Sequence, residues 1–318
     1  MSNKITLYDK TELLWNLITQ NFSGRQNEKL HKLVESYYGD NPLKENLNFL
    51  IKSLEKSYGT VILTTGFPIL KLVAPETDGP LGVIVLSKVL TKLGFSIEII
   101  TDILTQPVIE KLINVAKVDV AFIYVVSAPK NWNNRVIQEI MRNVHEIRLA
   151  ISVETPSPNR VGVYHNMSGF NITNIVGHFA PIFEFFKMKN IPTIGIGDGG
   201  NEIGFGVIRD LIIRNNAIPF AKKCRCPCGE GIVADVKTDS LLSASTSNLG
   251  AYALSALLSL KFKIDFPLTP ELEEKMLIAA IDAGAVDGIT GEKRLMVDGI
   301  KITKLKEIIS QMIKIIKE

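Results

Sequence analysis

The chain has 318 residues, 46% of them hydrophobic and 22% charged, with a formal net charge of +3. This is an ordinary globular composition with ample material for a core, and the small, scattered basic excess excludes a nucleic-acid footprint. No apolar run reaches membrane-spanning length, no basic region precedes an apolar signal core, and three cysteines crowded into 224–228 make no disulfide framework; a cytoplasmic protein with no membrane partner is expected.

Helical patterning covers 10–22, 28–38 and 44–57, interrupted by Ser23-Gly24 and by Gly39-Asp40-Asn41-Pro42. The pattern then changes. Thr60–Thr64 is a short β-branched run ending in Thr65-Gly66-Phe67-Pro68. A helix is expected over 81–93, with Pro80 suited to a first turn. Strand-like Phe95–Thr101 and a helix over 106–116 follow. Apolar runs at Val118–Val126 and Leu149–Val153 flank a helix at 132–145, and a helix at 179–189 leads to a strand at Thr193–Ile196. Helices are expected at 203–214, 248–260, 270–283 and 302–317, with a strand at Gly231–Val236 between the first two.

Strands alternating with helices predict an α/β fold, mainly a parallel sheet with helices on both faces. The runs at 118–126 and 149–153 barely alternate, as strands buried on both sides should. No repeat or linker divides the chain, so residues 1–318 are expected to form one domain: a helical N-terminal region over 1–57 and an α/β core over 58–318. Ligands gather beyond the carboxyl ends of such strands. The loops at 65–80, 154–169, 197–203 and 237–248 therefore hold the candidate site.

Ile194-Gly-Ile-Gly-Asp-Gly-Gly-Asn-Glu-Ile-Gly-Phe-Gly206 is the most informative stretch. Its glycines permit close backbone approach, and the amides opening the next helix favour an anion. Asp198 and Glu202 carry negative charge into the same space, which points to a cation as well. An acidic substrate held through a divalent metal satisfies both. Gly195-x-Gly197-x-x-Gly200 also matches the dinucleotide fingerprint, but a carboxylate at 198 sits where a pyrophosphate needs amides, and no acid ends a second strand about 20 residues on. Gly-Asp-Gly-Gly-Asn-Glu is similar to the last motif of haloacid-dehalogenase-type phosphatases. The Asp-x-Asp they require is missing: Asp102 is followed by Ile103, Leu104 and Thr105. A non-catalytic small-molecule sensor is the third reading.

Glu76-Thr-Asp78-Gly-Pro-Leu-Gly82 enters the 81–93 helix, where Asp78 could simply cap. If this loop opens at the same sheet edge as 197–203, Glu76, Asp78, Asp198 and Glu202 form one acidic cluster in which some residues ligate metal and another, titrating upward, acts as base. Arg160 offers a planar fork to a carboxylate, and the Ser247-Asn248 cap offers a hydroxyl and amides. Asp287-Gly288 and Asp298-Gly299 are turn signals first and ligand contacts second. His31 and His145 fall on helices as surface or interface residues; His165 and His178 lie nearer the site loops. Cys224-x-Cys226-Pro-Cys228 is unlike the usual zinc pairs, and no fourth ligand is evident.

Taken together, Thr65-Gly-Phe-Pro68, Glu76-Thr-Asp-Gly-Pro-Leu-Gly82, Tyr164-x-Asn-Met167, Ile194–Gly206, Ser247-Asn248 before Gly250-Ala-Tyr-Ala-Leu254, and Val286-Asp-Gly288 occur in the order found in the D-glutamate cyclase family, which the chain resembles across 60–300. The resemblance implies a lyase that cyclises D-glutamate, or a related acidic amino acid, to 5-oxo-D-proline with loss of water. It implies a divalent cation, manganese or magnesium, held by Asp78, Asp198, Asn201 and Glu202. Glu76, Asp78, Asp198 and Glu202 are then the candidate catalytic residues, and Thr65, Gly66, Arg160, Asn166, Gly199, Gly200, Asn201, Ser247 and Asn248 line the substrate. The expected partner is a small anionic amino acid, with a homo-oligomer possible. Where the family has Glu-Arg-Pro-Gly-Arg this chain reads Glu154-Thr-Pro-Ser-Pro; the arginine after Asn-Met is Ser168, and the tryptophan after Ser-Asn is Leu249. All three departures fall where an acidic substrate is to be held, and the cysteine cluster lies outside the family pattern.

Overall fold

A computed structural model describes residues 6–25, 27–55, 58–128, 131–144 and 146–318. Six parallel strands form one sheet: β1 (Thr60–Thr65), β2 (Ser96–Asp102), β3 (Phe122–Val126), β4 (Ile147–Val153), β5 (Thr193–Gly197) and β6 (Ser240–Ser243). They are arranged in the order β3-β2-β1-β4-β5-β6. The helices among the described residues are α1 (Leu7–Ile18), α2 (Glu28–Tyr38), α3 (Pro42–Ser53), α4 (Pro80–Lys92), α5 (Gln106–Ala116), α6 (Asn131–Asn143), α7 (Ala180–Met188), α8 (Arg209–Asn215), α9 (Ser247–Phe262), α10 (Pro270–Asp282) and α11 (Ile302–Lys317). The α/β fold with a parallel sheet is as expected.

Both faces of the sheet are covered, and β1 shows how. Val61 and Leu63 join a core built with α1, α3, α4, α5, α9, α10 and α11, while Ile62 points the other way, into a core built with α6 and α7. Successive side chains on a strand alternate faces, so a strand buried on both sides must be apolar throughout. α9 is buried over almost its whole length, packed on the sheet beside α4 and covered by α1, α3 and α11, which explains its lack of a polar face.

Four expectations need correction. Gly231–Val236 is not a strand. Its residues are largely buried, but its amides bond to loop carbonyls, Ile232 to Phe220 and Ala234 to Gly200, rather than to a neighbouring strand. The sixth strand is instead Ser240-Leu-Leu-Ser243, inside the segment expected to be a loop. Its serines gave it a polar look, yet both are buried, and Ser243 accepts or donates a 3.0 Å bond with His31 Nδ1. His31 is therefore a buried helix residue and not a surface one; His145 lies outside the described residues. The 203–214 helix is a short 3-10 turn, Gly206–Ile208, running into α8.

The strand order reverses direction between β1 and β4. Chain leaving β1 crosses to one side and chain leaving β4 to the other, which opens a crevice beyond their carboxyl ends. No helix among the described residues is long and apolar enough to cross a membrane.

Candidate active site

A cavity of about 380 Å³ occupies that crevice, and Arg25, Glu76, Glu154, Asp198, Glu202 and Asp298 all line it. Oxygens of Asp78, Glu154 and Asp198 come within 4.8 Å of one another. Four separate turns bring these acids together, each for a local reason.

The turn after β1 carries Glu76 and Asp78. Gly79 has φ +95°, and a Cβ there would lie 2.4 Å from Thr65 Oγ1 and 2.8 Å from Glu154 Cβ, so only glycine lets the loop pass between the two strand ends. Asp78 does not cap the helix it precedes. Its Oδ2 and Oδ1 accept from the amides of Ser247 and Asn248 at 2.7 and 2.8 Å, the N-terminus of α9. Asn248 answers in kind: its Oδ1 accepts from Gly79 and Gly82 amides, and its Nδ2 donates to the Thr77 carbonyl. These reciprocal bonds lock the loop, and they also consume the donors that the sequence offered to a substrate carboxylate.

The turn after β4 starts at Glu154, whose φ of 47° is left-handed. Such a backbone costs energy for a long side chain and tends to be kept at functional sites. Its amide donates to Ile196, its carbonyl accepts from Gly66, and Ser247 Oγ donates to its Oε2 at 2.5 Å. The turn after β5 carries Asp198, Asn201 and Glu202. Here the glycine-loop amides are already occupied: those of Gly199 and Gly200 donate to Glu202 Oε1 and Oε2 at 2.8 and 2.7 Å. The loop thus closes on its own carboxylate, so these amides are not free to hold an oxyanion, and Glu202 braces the turn. Asn201 Nδ2 donates to the His165 carbonyl at 2.8 Å.

The fourth turn supplies Asp298, again left-handed with φ 48°. A Cβ on Gly288 would lie 2.3 Å from Asp298 Oδ1 and 2.7 Å from Glu76 Oε2, so glycine is what lets these two carboxyls approach. Arg25 reaches in from the loop between α1 and α2. Its Nη1 and Nη2 donate to Asp198 Oδ2 and Oδ1 at 2.6 and 3.0 Å, and Nη1 also bonds Asp298.

Taking so many carboxylates out of water makes ionising all of them costly. Burial, opposed by its two helix-end amides, pushes Asp78 up to about 8. It pushes Asp198 up to about 7, with Arg25 pulling the other way. Burial first, and neighbouring carboxylates second, hold Glu76 and Glu154 well above the carboxylate range. Asp298 is also held well above the carboxylate range by burial, despite Arg25, and Glu202 is raised by burial against the pull of its amides. The protein's own counter-charge, Arg25, leaves a surplus of acid that protons or a bound cation must balance.

Other sequence candidates are placed as follows. Thr65 Oγ1 is buried with no hydrogen-bond partner among the described residues, and Gly66 abuts Asp102. Asn166 lines the cavity and caps its own turn through Phe170. Arg160 is exposed and does not line the cavity. Among the described residues, the cationic ones that do line it are Arg25 and Lys71. Asp102 spends its carboxylate on Leu104 and Thr105 at the end of β2, so the phosphatase nucleophile has no counterpart there. Arg25, Glu154 and Asp298 were not chosen from sequence as site residues. Glu154 and Asp298 follow strand-like or turn-like stretches and so carried a weak signal; Arg25, in a Ser-Gly-Arg turn between helices, carried none.

A family profile described as D-glutamate cyclase-like, C-terminal, matches residues 14–313. The chain belongs to the D-glutamate cyclase family. It is also similar to the human protein named D-glutamate cyclase, mitochondrial, with 26% identity over 317 residues, covering 86% of this chain and 49% of the human one. The chain therefore spans about half the length of that relative. The family match begins within α1, before Arg25, and ends beyond Asp298, so the loop that delivers Arg25 lies within it.

Proposed function

We propose that this cavity cyclises D-glutamate, or a closely related acidic amino acid, to 5-oxo-D-proline with release of water, assisted by manganese or magnesium. The observation that carries this reading is the convergence of Asp78, Glu154 and Asp198 oxygens to within 4.8 Å of one another, two of the three residues lining the cavity. The donor set fits such an ion: every candidate ligand is a hard oxygen, and two further buried oxygens, Glu76 Oε1 and Asn201 Oδ1, have no hydrogen-bond partner among the described residues. Asp78, Glu154 and Asp198 would hold the cation, with Asn201 beside them. Bound there, it would withdraw charge from the γ-carboxylate and make that carbon electrophilic.

The remaining work falls to side chains of the chain itself. A cavity of about 380 Å³ suits a small amino acid folded so that its amine meets its own γ-carbon, which supplies much of the rate. The amine must shed its proton before it attacks. Glu76, buried against the cavity with a raised affinity for protons, is placed to take it. Two protons leave nitrogen in all, and both end on the departing carboxyl oxygen, which leaves as water. Arg25 and Lys71 are the groups placed to attract the substrate's carboxylates, in the role that sequence gave to Arg160. The three cysteines are free thiols, and we place the protein in a reducing, cytoplasmic compartment.

Incubation with D-glutamate and manganese or magnesium, followed by chiral separation of 5-oxoproline, tests the reaction. Product is expected from the unaltered chain and not from Asp198→Ala. Equal turnover by both would remove Asp198 from the chemistry, and no product from either would remove the substrate assignment.

A further inference from the structure

A second constellation lies beside the cavity and takes no part in the chemistry just described. In extended chain, alternate residues stand about 6.6–6.8 Å apart, too far for Cys224, Cys226 and Cys228 to meet. Here the segment is folded over: the Cys224 amide donates to the Glu230 carbonyl at 3.0 Å, and Cys224 Sγ lies 3.2 Å from Cys226 Sγ and 3.4 Å from Cys228 Sγ. A fourth group arrives from a different loop. His165 Nε2 lies 3.2 Å from Cys226 Sγ and 3.8 Å from Cys228 Sγ. All four ligand atoms fall within 4.8 Å of one another.

A tetrahedral zinc with bonds of about 2.3 Å to sulfur and about 2.0 Å to nitrogen would separate its ligand atoms by roughly 3.5–3.8 Å. The observed spacings bracket a slightly contracted version of that figure. A disulfide would engage two of the sulfurs and leave a thiol and an imidazole without a reason to converge, and all three cysteines are free. Apolar packing explains Cys224, which sits against Phe220, Ala221 and Ile232 in one core. Cys226 and Cys228 lie against the same core, but apolar packing does not explain why a ring nitrogen from another loop faces all three sulfurs.

We propose that His165, Cys224, Cys226 and Cys228 form a closed structural zinc site. Soft sulfur ligands and an imidazole select zinc, whereas the all-oxygen cluster in the cavity selects a harder ion, so one chain holds two sites of different taste. With four protein ligands the zinc has no open position. Its work is mechanical. The loop that carries His165 also carries Asn166, Met167 and Ser168, which line the cavity. The His165 carbonyl receives Asn201 Nδ2, and the Arg225 amide donates to Gly169 at 2.9 Å. The zinc pins this cavity wall to the 224–228 turn, and through Asn201 to the glycine loop.

The test is a metal count on the full chain purified under reducing conditions without added metal, by mass spectrometry and by release to a chromophoric chelator. About one zinc per chain is expected, falling severalfold in Cys226→Ser and His165→Ala, and unchanged in Asp198→Ala, which separates this site from the acidic one. Should the cysteine variant fail to fold, cobalt(II) added to the metal-stripped chain gives an independent reading: intense tetrahedral ligand-field bands with thiolate charge transfer, saturating at one equivalent. Absence of both zinc and that spectrum would overturn the proposal. Zinc retained equally by Cys226→Ser and His165→Ala, or isolation of the native chain with a disulfide among these cysteines, would do the same.

Discussion

Glu154 concentrates what the site demands of a single residue. Its backbone is left-handed, its carboxylate is buried among acids, and Ser247 Oγ holds one oxygen. Glutamine keeps the shape and loses the charge. We expect Glu154→Gln to fold normally and to lower turnover by at least about 100-fold, with weaker manganese dependence; steady-state kinetics against metal concentration measure both. Gly288 makes a sharper spatial test, because a methyl group there would strike Asp298 and Glu76 oxygens. Gly288→Ala should reduce turnover at least tenfold while leaving the circular-dichroism spectrum intact. Wild-type turnover in that variant would mean that the approach of those two carboxyls is incidental. Sequence placed Glu76, Asp78, Asp198 and Glu202 at one sheet edge because loop position follows from the strand pattern. It did not distinguish their jobs, since whether a carboxylate faces a ligand or its own turn's amides depends on dihedral angles that no local pattern prints.

Elements hold one another through buried polar links as well as apolar faces. Tyr252 on α9 donates to Glu273 Oε2 on α10 at 2.7 Å, and both side chains are buried. Burial raises the Glu273 pKa from 4.5 to about 7, with Tyr252 pulling it down. The folded state therefore binds a proton that the unfolded state releases. The resulting stability is full below about pH 4.5 and is lost as pH rises to about 7, amounting to on the order of 3 kcal/mol at most. Glu273→Gln mimics the protonated acid, so its advantage over the unaltered chain should grow between pH 5 and pH 8; urea midpoints at both values check the sign. A constant difference would show that Glu273 does not titrate in this window. At this scale the sequence read most helices closely, because caps and periodicity are local. It missed β6, whose four residues are strand only because β5 lies alongside.

The whole molecule carries a cluster of acids with more negative charge than Arg25 can balance. In the cation-free chain, Asp78 and Asp198, raised by burial to about 8 and about 7, lose stability as pH climbs from about 4 through those values, by the same sign as Glu273. A divalent ion that binds only the folded state reverses this. At a concentration a hundredfold above its dissociation constant it adds about 2.7 kcal/mol, which for a chain of this size is a thermal shift of a few degrees. We expect manganese to raise the melting temperature at pH 8, and Glu154→Gln and Asp198→Ala to abolish that rise. An equal rise in those variants would place the ion elsewhere.

Alternating strand and helix signals, the run of motifs and the glycine-rich turn were enough to determine a parallel α/β sheet, its family and the edge at which the acidic residues gather, because each depends on residues close together in the chain. Contacts between distant segments decided the rest. Arg25 meets Asp198 across 173 residues, Asp78 caps a helix that begins 169 residues later, and His165 finds three sulfurs on another loop. Such pairings are set by how the sheet's crossovers stack in space, and neither composition nor spacing encodes that in a form a single sequence can reveal.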